Sequence, residues 1–174
     1  MRYSPDAICM LEQLGIPVSL IFSRKLEEFD VATEIEVVDT DNNGRLLMLA
    51  PLAAQAWNHL KNSAQADGVE LYLVSAFRSV ARQAEIFMRK QRMGMNIERI
   101  LAFSAPPFFS EHHTGHAIDV GTPSRTDLEQ AFEETDAFAW LTKHAGSFGF
   151  EMSYPKGNAK GFNYEPWHWR FTPR

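Results

Sequence analysis

One carboxylate constrains the fold of this chain more than any other residue. Asp119 lies inside the short stretch 117–120, whose other residues are apolar and typical of a buried β-strand. A carboxylate in that setting is costly unless it is paired with a cation or bound to a metal ion. The period of two places Ala117 on the same face as Asp119, where its small side chain leaves space above the sheet. Gly115 permits a turn that brings His112 back toward Asp119.

A second segment, 165–170, carries a carboxylate and an imidazole at short spacing. Glu165 and His168 are three residues apart, and Pro166 between them rules out a helix interior. In a regular strand, residues three apart face opposite sides. Both side chains can enter one site only if the backbone bends near Pro166, and we predict such a bend. A zinc ligand close to a general base is a recurring arrangement in metal-dependent hydrolases.

The composition limits the kinds of metal site and partner that this chain can have. Its 174 residues predict one domain spanning residues 1–174. The formal net charge of −5 gives no general attraction to nucleic acid or to an anionic membrane. Cys9 is the one cysteine, so a transition metal must use histidine and carboxylate ligands rather than a cysteine-rich set. Cys9 itself is expected to be a buried apolar residue of an N-terminal helix.

The sequence carries no signal for a membrane span or for export. No apolar run approaches the roughly 20 residues that cross a bilayer. The N-terminal segment is interrupted by Glu12, Gly15 and Pro17, which makes it a poor signal peptide. A cytoplasmic location is therefore expected unless a leader precedes this sequence. The residues of one basic stretch are expected to form the solvated face of a helix: Arg89, Lys90 and Arg92.

Helices interspersed with hairpin-connected strands predict an α+β fold with a small, mainly antiparallel sheet. A first helix is expected between Ser4, with Pro5 at its first position, and Gly15. Further helices are predicted at 52–66, at 79–92 with Ser79 as its cap, and at 136–144 with Asp136 as its cap. The predicted strands are 34–39, 46–49, 69–77, 117–120, 149–154 and 167–171, with a turn at 41–44 between the first two.

The two polar segments together resemble a known family. Ser110-x-His112-x-x-Gly115-x-Ala117-x-Asp119, followed much later by Glu165-Pro166-Trp167-His168, is similar to the motifs of the VanY-type D-alanyl-D-alanine carboxypeptidases. These belong to a wider group with the lysostaphin-like peptidases and the hedgehog signalling domain. The resemblance runs over about 52–171 and includes 75–79, Gln83, 149–150 and 153–155. It implies a hedgehog/DD-peptidase-like fold.

The resemblance also implies a role for each matched residue. One zinc ion per chain would be bound by His112, Asp119 and His168. Glu165 would activate the hydrolytic water, and Arg78 would contact the substrate carbonyl or the developing oxyanion. Three further residues would line the substrate pocket: Gln83, Ser110 and Tyr154.

These roles imply a zinc metallopeptidase acting on peptidoglycan stem peptides. The expected reaction is removal of the terminal D-alanine, as a DD- or an LD-carboxypeptidase. Such a substrate implies a periplasmic or extracytoplasmic location. Two alternatives remain open: an endolysin-like endopeptidase that cuts within the stem, and a zinc-binding interaction module without activity. Glu165 disfavours the module, since pure binding would need no base. The oligomeric state stays open.

The sequence departs from the family pattern just around the first histidine. Phe108 and Phe109 precede Ser110 where the family usually has Pro-Gly-x-Ser. We expect one ring to anchor the loop and the other to wall the pocket, which would favour a small leaving residue; alternatively, both rings cover the core. His113 stands where the family often has Gln and is expected to contact substrate or to be exposed. His116 faces away from Asp119 by strand parity and is expected to be structural.

Overall fold

The computed structural model describes residues 3–41, 43–123 and 126–173, in which helices pack against two small antiparallel sheets. The α-helices in these ranges are α1 (Pro5–Gln13), α2 (Val18–Ser23), α3 (Pro51–Ala66), α4 (Val80–Arg92), α5 (Ile97–Phe103) and α6 (Asp136–His144). The strands are β1 (Glu36–Thr40), β2 (Leu46–Leu49), β3 (Tyr72–Ser75), β4 (Ala117–Gly121), β5 (Phe150–Met152) and β6 (His168–Phe171). Short 3-10 turns cover Glu111–Thr114, Gln130–Glu134 and Ala145–Phe148. The α+β prediction is confirmed.

The four-stranded sheet has the order β3-β4-β6-β5, and every neighbouring pair is antiparallel. β4 is therefore a central strand, and all five of its residues are buried. In the register, Asp119 lies opposite Ser75 of β3 on one side and His168 of β6 on the other. The separate two-stranded sheet pairs β1 with β2, as the hairpin pattern predicted. The predicted turn at 41–44 includes Asn42, which lies outside the described residues.

Two of the three helix caps predicted from the sequence are confirmed. Ser4 and Ser79 accept hydrogen bonds from the backbone amides that open α1 and α4. The cap predicted for α6 was wrong by one residue, because Thr135, and not Asp136, accepts the hydrogen bond from the Phe138 amide. The predicted burial of Cys9 was also wrong, since its side chain is exposed on α1.

Two buried clusters of apolar side chains flank the middle of the molecule. The first lies between the four-stranded sheet and α3 and α6, and includes Trp57, Ile118 and Phe150. The second is built from α1, α2, α4 and α5, and includes Leu11 and Phe87. A cleft lies between the two clusters and is lined by residues of both. In the described part of the chain, no helix combines the length and apolarity that a bilayer crossing requires.

Candidate metal centre and active-site cleft

Three buried side chains converge at the centre of the sheet. His112, Asp119 and His168 each offer one ligand atom, and these atoms all lie within 4.8 Å of one another. His112 Nε2 is 3.2 Å from Asp119 Oδ2, and His168 Nδ1 is 2.8 Å from Asp119 Oδ1. All three residues are at most 4% exposed. The structure thus brings together the three residues to which the family resemblance assigned the metal.

Strand register and one glycine bring these three side chains together. Asp119 and His168 are direct cross-strand partners, so their side chains share one face of the sheet. His112 lies in the 3-10 turn before β4, and Gly115 ends that turn with a φ of +68°. A Cβ on Gly115 would lie 2.8 Å from the Ala50 backbone nitrogen, which itself donates to the Gly115 carbonyl. Only glycine satisfies both the left-handed φ and this close approach.

The predicted bend at Pro166 is a tight turn. The His168 amide donates to the Glu165 carbonyl at 3.1 Å, so Glu165 to His168 form a turn with Pro166 at its second position, where proline is favoured. The turn brings residues three apart to the same side of the backbone. Glu165 and His168 consequently both line one cleft.

The electrostatics of the centre favour a positive charge among its carboxylates. Burial lowers the pKa of His168, but hydrogen bonds to Asp119 and Glu111 outweigh burial and raise that pKa to about 10. Burial acts to raise the pKa of Asp119, but the two histidines hold it well below its usual range. Burial also raises the pKa of Glu165, to about 7, with His168 acting in the opposite direction. Glu165 is therefore the carboxylate of the cleft that gains and loses a proton near neutral pH.

Arg78 is held beside the centre by three oxygen acceptors. Its Nη1 donates to Gln83 Oε1 at 2.9 Å, and its Nη2 donates to Ser75 Oγ at 2.8 Å. Nη2 also lies 3.6 Å from Asp119 Oδ2. Gln83 is fully engaged as well, since its Nε2 donates to the Ala105 carbonyl at 2.6 Å. Gln83 lies in the cleft as predicted, but its amide groups bind protein atoms and position the guanidinium.

A cleft of about 260 Å³ opens onto these groups. Ser110 and Tyr154 line it, together with the candidate ligands, and both are buried. The Tyr154 ring stacks on the His168 ring, with centroids 4.8 Å apart. The remaining wall combines apolar and aromatic side chains with two basic ones: Ile86, Phe103, Leu128, Phe162, Trp167, Arg89 and Lys90.

Three sequence-based expectations near the cleft were wrong. His113 neither contacts the cleft nor is exposed: it is fully buried, its Nδ1 lies 2.5 Å from the Arg78 carbonyl, and its Nε2 accepts from the Phe108 amide at 3.1 Å. Phe109 is buried against Tyr3, and Phe108 packs on the same apolar cluster, so neither ring walls the cleft. Their aromatic surface is used to attach this loop to the N-terminal helices.

The third wrong expectation was that Lys90 lies on the solvated face of a helix. Its ammonium is not part of a solvated helix face, because Lys90 is half-buried, lines the cleft and donates to Ser104 Oγ at 2.5 Å. In the part of the chain that the structure describes, no carboxylate forms an ion pair with it. Burial lowers the pKa of Lys90, and the charge of Glu165 opposes that effect.

Glu111 is a further residue of the site, and no pattern in the sequence predicted it. Its carboxylate is 2% exposed and lies 3.1 Å from His168 Nε2, on the side of the ring away from Asp119. Ser153 Oγ donates to it at 2.5 Å, and Lys160 and Arg170 approach its other oxygen. The one local signal was a glutamate directly before His112, since the other partners are distant in sequence.

The donor set fits a zinc ion. Bonds of about 2.0–2.2 Å in tetrahedral geometry place nitrogen and oxygen donors about 3.3 Å apart. His112 Nε2 lies 3.2 Å from Asp119 Oδ2, close to that spacing, and the three candidate ligand atoms all lie within 4.8 Å of one another. Both other ring nitrogens are occupied, since His112 Nδ1 contacts the Ala76 carbonyl at 2.7 Å and His168 Nε2 contacts Glu111. Two histidines and one carboxylate are a known set for catalytic zinc sites, in which a fourth position stays open.

The fold places a buried His–Asp–His cluster, suited to a metal ion, on a small antiparallel sheet. Residues 47–174 match the VanY family, described as D-alanyl-D-alanine carboxypeptidase. Because this match covers more than half of the chain, the protein belongs to that family. The resemblance inferred from the motifs is confirmed.

Similar proteins agree with this family. A D-alanyl-D-alanine carboxypeptidase of Enterococcus faecium is 31% identical over 122 residues, which cover 68% of this chain and 36% of that protein. The LdcB LD-carboxypeptidase structure superposes with a TM-score of 0.67 at 31% identity, over 84% of this chain and 67% of that one. The structure of a D,D-pentapeptidase VanY E175A mutant in complex with Zn(II) superposes with a TM-score of 0.64 at 25% identity, over 83% of this chain and 80% of that one. This chain spans less than half of the length of two of its curated relatives: it covers 36% of one and 45% of the other.

Proposed function

We propose that this protein is a zinc-dependent carboxypeptidase that removes the terminal D-alanine from peptidoglycan stem peptides, with one zinc ion per chain. The observation that carries the proposal is the buried cluster of His112, Asp119 and His168 in one cleft with Glu165 and Arg78. When bound, zinc polarises a carbonyl oxygen and lowers the pKa of water to about 7. Membership in the VanY family supports both the metal and the substrate class.

Each remaining group of the cleft has chemistry suited to one part of peptide hydrolysis. Glu165, with its pKa of about 7, accepts a proton from water and delivers it to the leaving amine. Arg78 remains cationic and donates to the oxygen on which negative charge develops. Gln83 and Ser75 hold the guanidinium in place while this happens. Ser110 and Tyr154 line the cleft, which supports their proposed contact with the peptide.

Lys90 favours a carboxypeptidase over an endopeptidase. A carboxypeptidase must bind a free carboxylate one residue beyond the scissile bond, whereas an endopeptidase meets an amide there. Arg78 is assigned to the oxygen of the scissile carbonyl, where Gln83 and Ser75 hold its guanidinium. The half-buried Lys90 ammonium has a hydroxyl partner and forms no ion pair with a carboxylate of the described chain. Arg89 also lines the cleft but is exposed, so we assign the terminal carboxylate to Lys90, the half-buried cation beside it.

The central experiment is mass spectrometry of defined stem peptides after incubation with the zinc-loaded protein. Loss of one alanine from a pentapeptide ending in D-Ala-D-Ala supports DD-carboxypeptidase activity, and loss of D-alanine from a tetrapeptide supports LD activity. The His168→Ala variant is the control for metal dependence. Cleavage within the stem would replace the proposal with an endopeptidase. Zinc binding without any cleavage would instead support an interaction module.

A matched pair of peptides tests the role of Lys90. We expect the protein to cleave a stem with a free terminal carboxylate in preference to the same stem with a C-terminal amide. Lys90→Met should lower kcat/KM for the free acid about 10–100-fold, mainly through KM, because a hydrogen bond to a charged group contributes about 1.5–3 kcal/mol. The amide should be little affected. Arg92→Met, on the same helix end but outside the cleft, is the control.

An equal loss for both peptides would contradict the role of Lys90 in binding the carboxylate. Equal cleavage of acid and amide by the unaltered protein would contradict the carboxypeptidase itself. These two results are distinguishable, because the first concerns only the variant.

A further inference from the structure

The carboxylate of Glu111 is buried among four polar partners, two at each of its oxygens. Oε2 accepts from Ser153 Oγ at 2.5 Å and lies 3.1 Å from His168 Nε2. Oε1 lies 3.5 Å from Lys160 Nζ and 3.7 Å from Arg170 Nη1. With 2% exposure, this carboxylate is fixed from both sides. Such a buried charge is retained only where its partners compensate for lost hydration.

The position of Glu111 bears on which nitrogen of His168 can bind a metal. A neutral imidazole has one N–H, and a metal-binding nitrogen must carry no proton. Glu111 accepts only from a protonated Nε2, which leaves Nδ1 as the bare nitrogen. Nδ1 is the atom that faces Asp119, at 2.8 Å. Glu111 therefore stabilises the one tautomer of His168 that can join the cluster.

The other histidine of the cluster uses the opposite arrangement. His112 Nδ1 donates to the Ala76 carbonyl at 2.7 Å, and its Nε2 faces Asp119 Oδ2 at 3.2 Å. Each histidine thus has its own acceptor, a neutral carbonyl for His112 and a carboxylate for His168. A carboxylate acceptor makes the ring nitrogen a stronger donor to the metal than a carbonyl does.

We propose that Glu111 is a positioning residue of the metal centre, which fixes the ring and tautomer of His168 and strengthens its bond to zinc. This rests on the metal site of the proposed function, but not on peptidase activity. Ser153 and Arg170 orient the carboxylate in turn, so the support extends from the metal ligand to strands β5 and β6 and the turn that follows β5. Partners of metal-bound histidines typically change metal affinity 10–100-fold when they are removed.

Zinc affinity, measured by competition with a chromophoric chelator, tests this role. Glu111→Ala should bind zinc about 10–100-fold more weakly than the unaltered protein. Glu111→Gln keeps the size and an acceptor oxygen, so its affinity should lie between the two. Glu151→Gln, which removes an exposed carboxylate from β5, is the matched control and should bind zinc normally. If Glu111→Ala does not fold, Glu111→Gln still decides the outcome.

Nitrogen-15 NMR of the histidine rings supplies a readout that a packing role would not change. In the unaltered zinc-loaded protein, His168 should show a protonated Nε2 and an unprotonated Nδ1, and Glu111→Ala should lose this single tautomer. Unchanged zinc affinity and an unchanged His168 tautomer in both variants would overturn the proposal. Failure of the unaltered protein to bind zinc would instead overturn the metal site of the proposed function.

Discussion

At the scale of single residues, the turn from Glu165 to His168 directs both side chains into one cleft, whereas a regular strand would point them to opposite sides. His168 enters β6 as the cross-strand partner of Asp119, while Glu165 stays outside the sheet and reaches the cleft from its side. The backbone hydrogen bond across the turn fixes the distance between them. The two side chains can therefore be altered independently, His168 to test the proposed metal binding and Glu165 to test the proposed proton transfer.

Replacing the proposed base tests that separation. Glu165→Gln should keep normal zinc content and lower kcat about 10²–10⁴-fold, because the amide cannot accept the proton from water. Zinc content by elemental analysis and kcat on a stem peptide are the two measurements. The His168→Ala variant, which should lose both zinc and activity, is the contrast. A near-normal kcat in Glu165→Gln would mean that another group is the base.

Some residues of the site could be predicted from the sequence, and others could not, for a physical reason. Asp119 was conspicuous because a carboxylate within an apolar strand needs a partner. Glu111 gave only its place directly before His112, and Lys90 belonged to a basic stretch of a predicted helix; neither pattern indicates a buried charge. Their burial depends on Ser153 and Ser104, to which no local pattern connects them.

At the scale of elements, the site depends on how the 3-10 turn of Glu111–Thr114 meets the start of α3. The Ala50 amide donates to the Gly115 carbonyl at 3.0 Å, and the Arg78 amide donates to the His112 carbonyl at 3.1 Å. These bonds attach the turn to the segments before α3 and α4. Sequence patterns predicted α3, α4 and a turn at Gly115 separately, but not this contact, because it depends on tertiary packing.

Gly115→Ala tests this contact, with Gly68→Ala as its control. Both glycines have a left-handed φ, +68° and +79°, but a Cβ meets nothing within 4 Å at Gly68 and backbone at 2.8 Å at Gly115. Gly68→Ala should lower the free energy of unfolding by about 1 kcal/mol, the cost of the left-handed conformation alone. Gly115→Ala should lower it by about 2–4 kcal/mol, because overpacking adds to that cost.

Urea denaturation measures both values, and zinc affinity shows whether the turn moves. Gly115→Ala should also bind zinc more weakly, because His112 lies on the displaced turn, while Gly68→Ala should bind it normally. Equal destabilisation by the two substitutions would show that the close approach to Ala50 is relieved without cost.

At the scale of the whole molecule, residues outside the family match support one wall of the cleft. The match begins at residue 47, so α1 and α2 precede it. Arg24, directly after α2, donates to the carbonyls of Lys160 and Leu101 at 2.9 Å and lies 4.5 Å from the centre of the Phe162 ring. Phe162 in turn packs against Tyr154, whose ring stacks on His168. The N-terminal helices are thus connected to the candidate metal centre through two aromatic side chains.

The metal should in turn stabilise the whole molecule, because its proposed ligands come from three separate segments of the chain. Asp119 lies on the central strand, His168 on its neighbour and His112 on the turn before them. An ion bound to all three in the folded state, and to none when unfolded, contributes RT ln(1 + [Zn]/Kd), about 2.7 kcal/mol at 100 times Kd. For a chain of 174 residues this raises Tm by about 5–11 °C.

Thermal unfolding with zinc and with a chelator measures this shift. In the His168→Ala variant, which lacks one proposed ligand, zinc should change Tm little. Each variant is compared with itself with and without zinc, so the direct effect of the substitution on stability cancels. Glu165→Gln should keep the full shift, since Glu165 is not a proposed ligand. An equal shift in His168→Ala and in the unaltered protein would place the zinc elsewhere on the chain, and the cluster would then be a buried hydrogen-bond network rather than a metal centre.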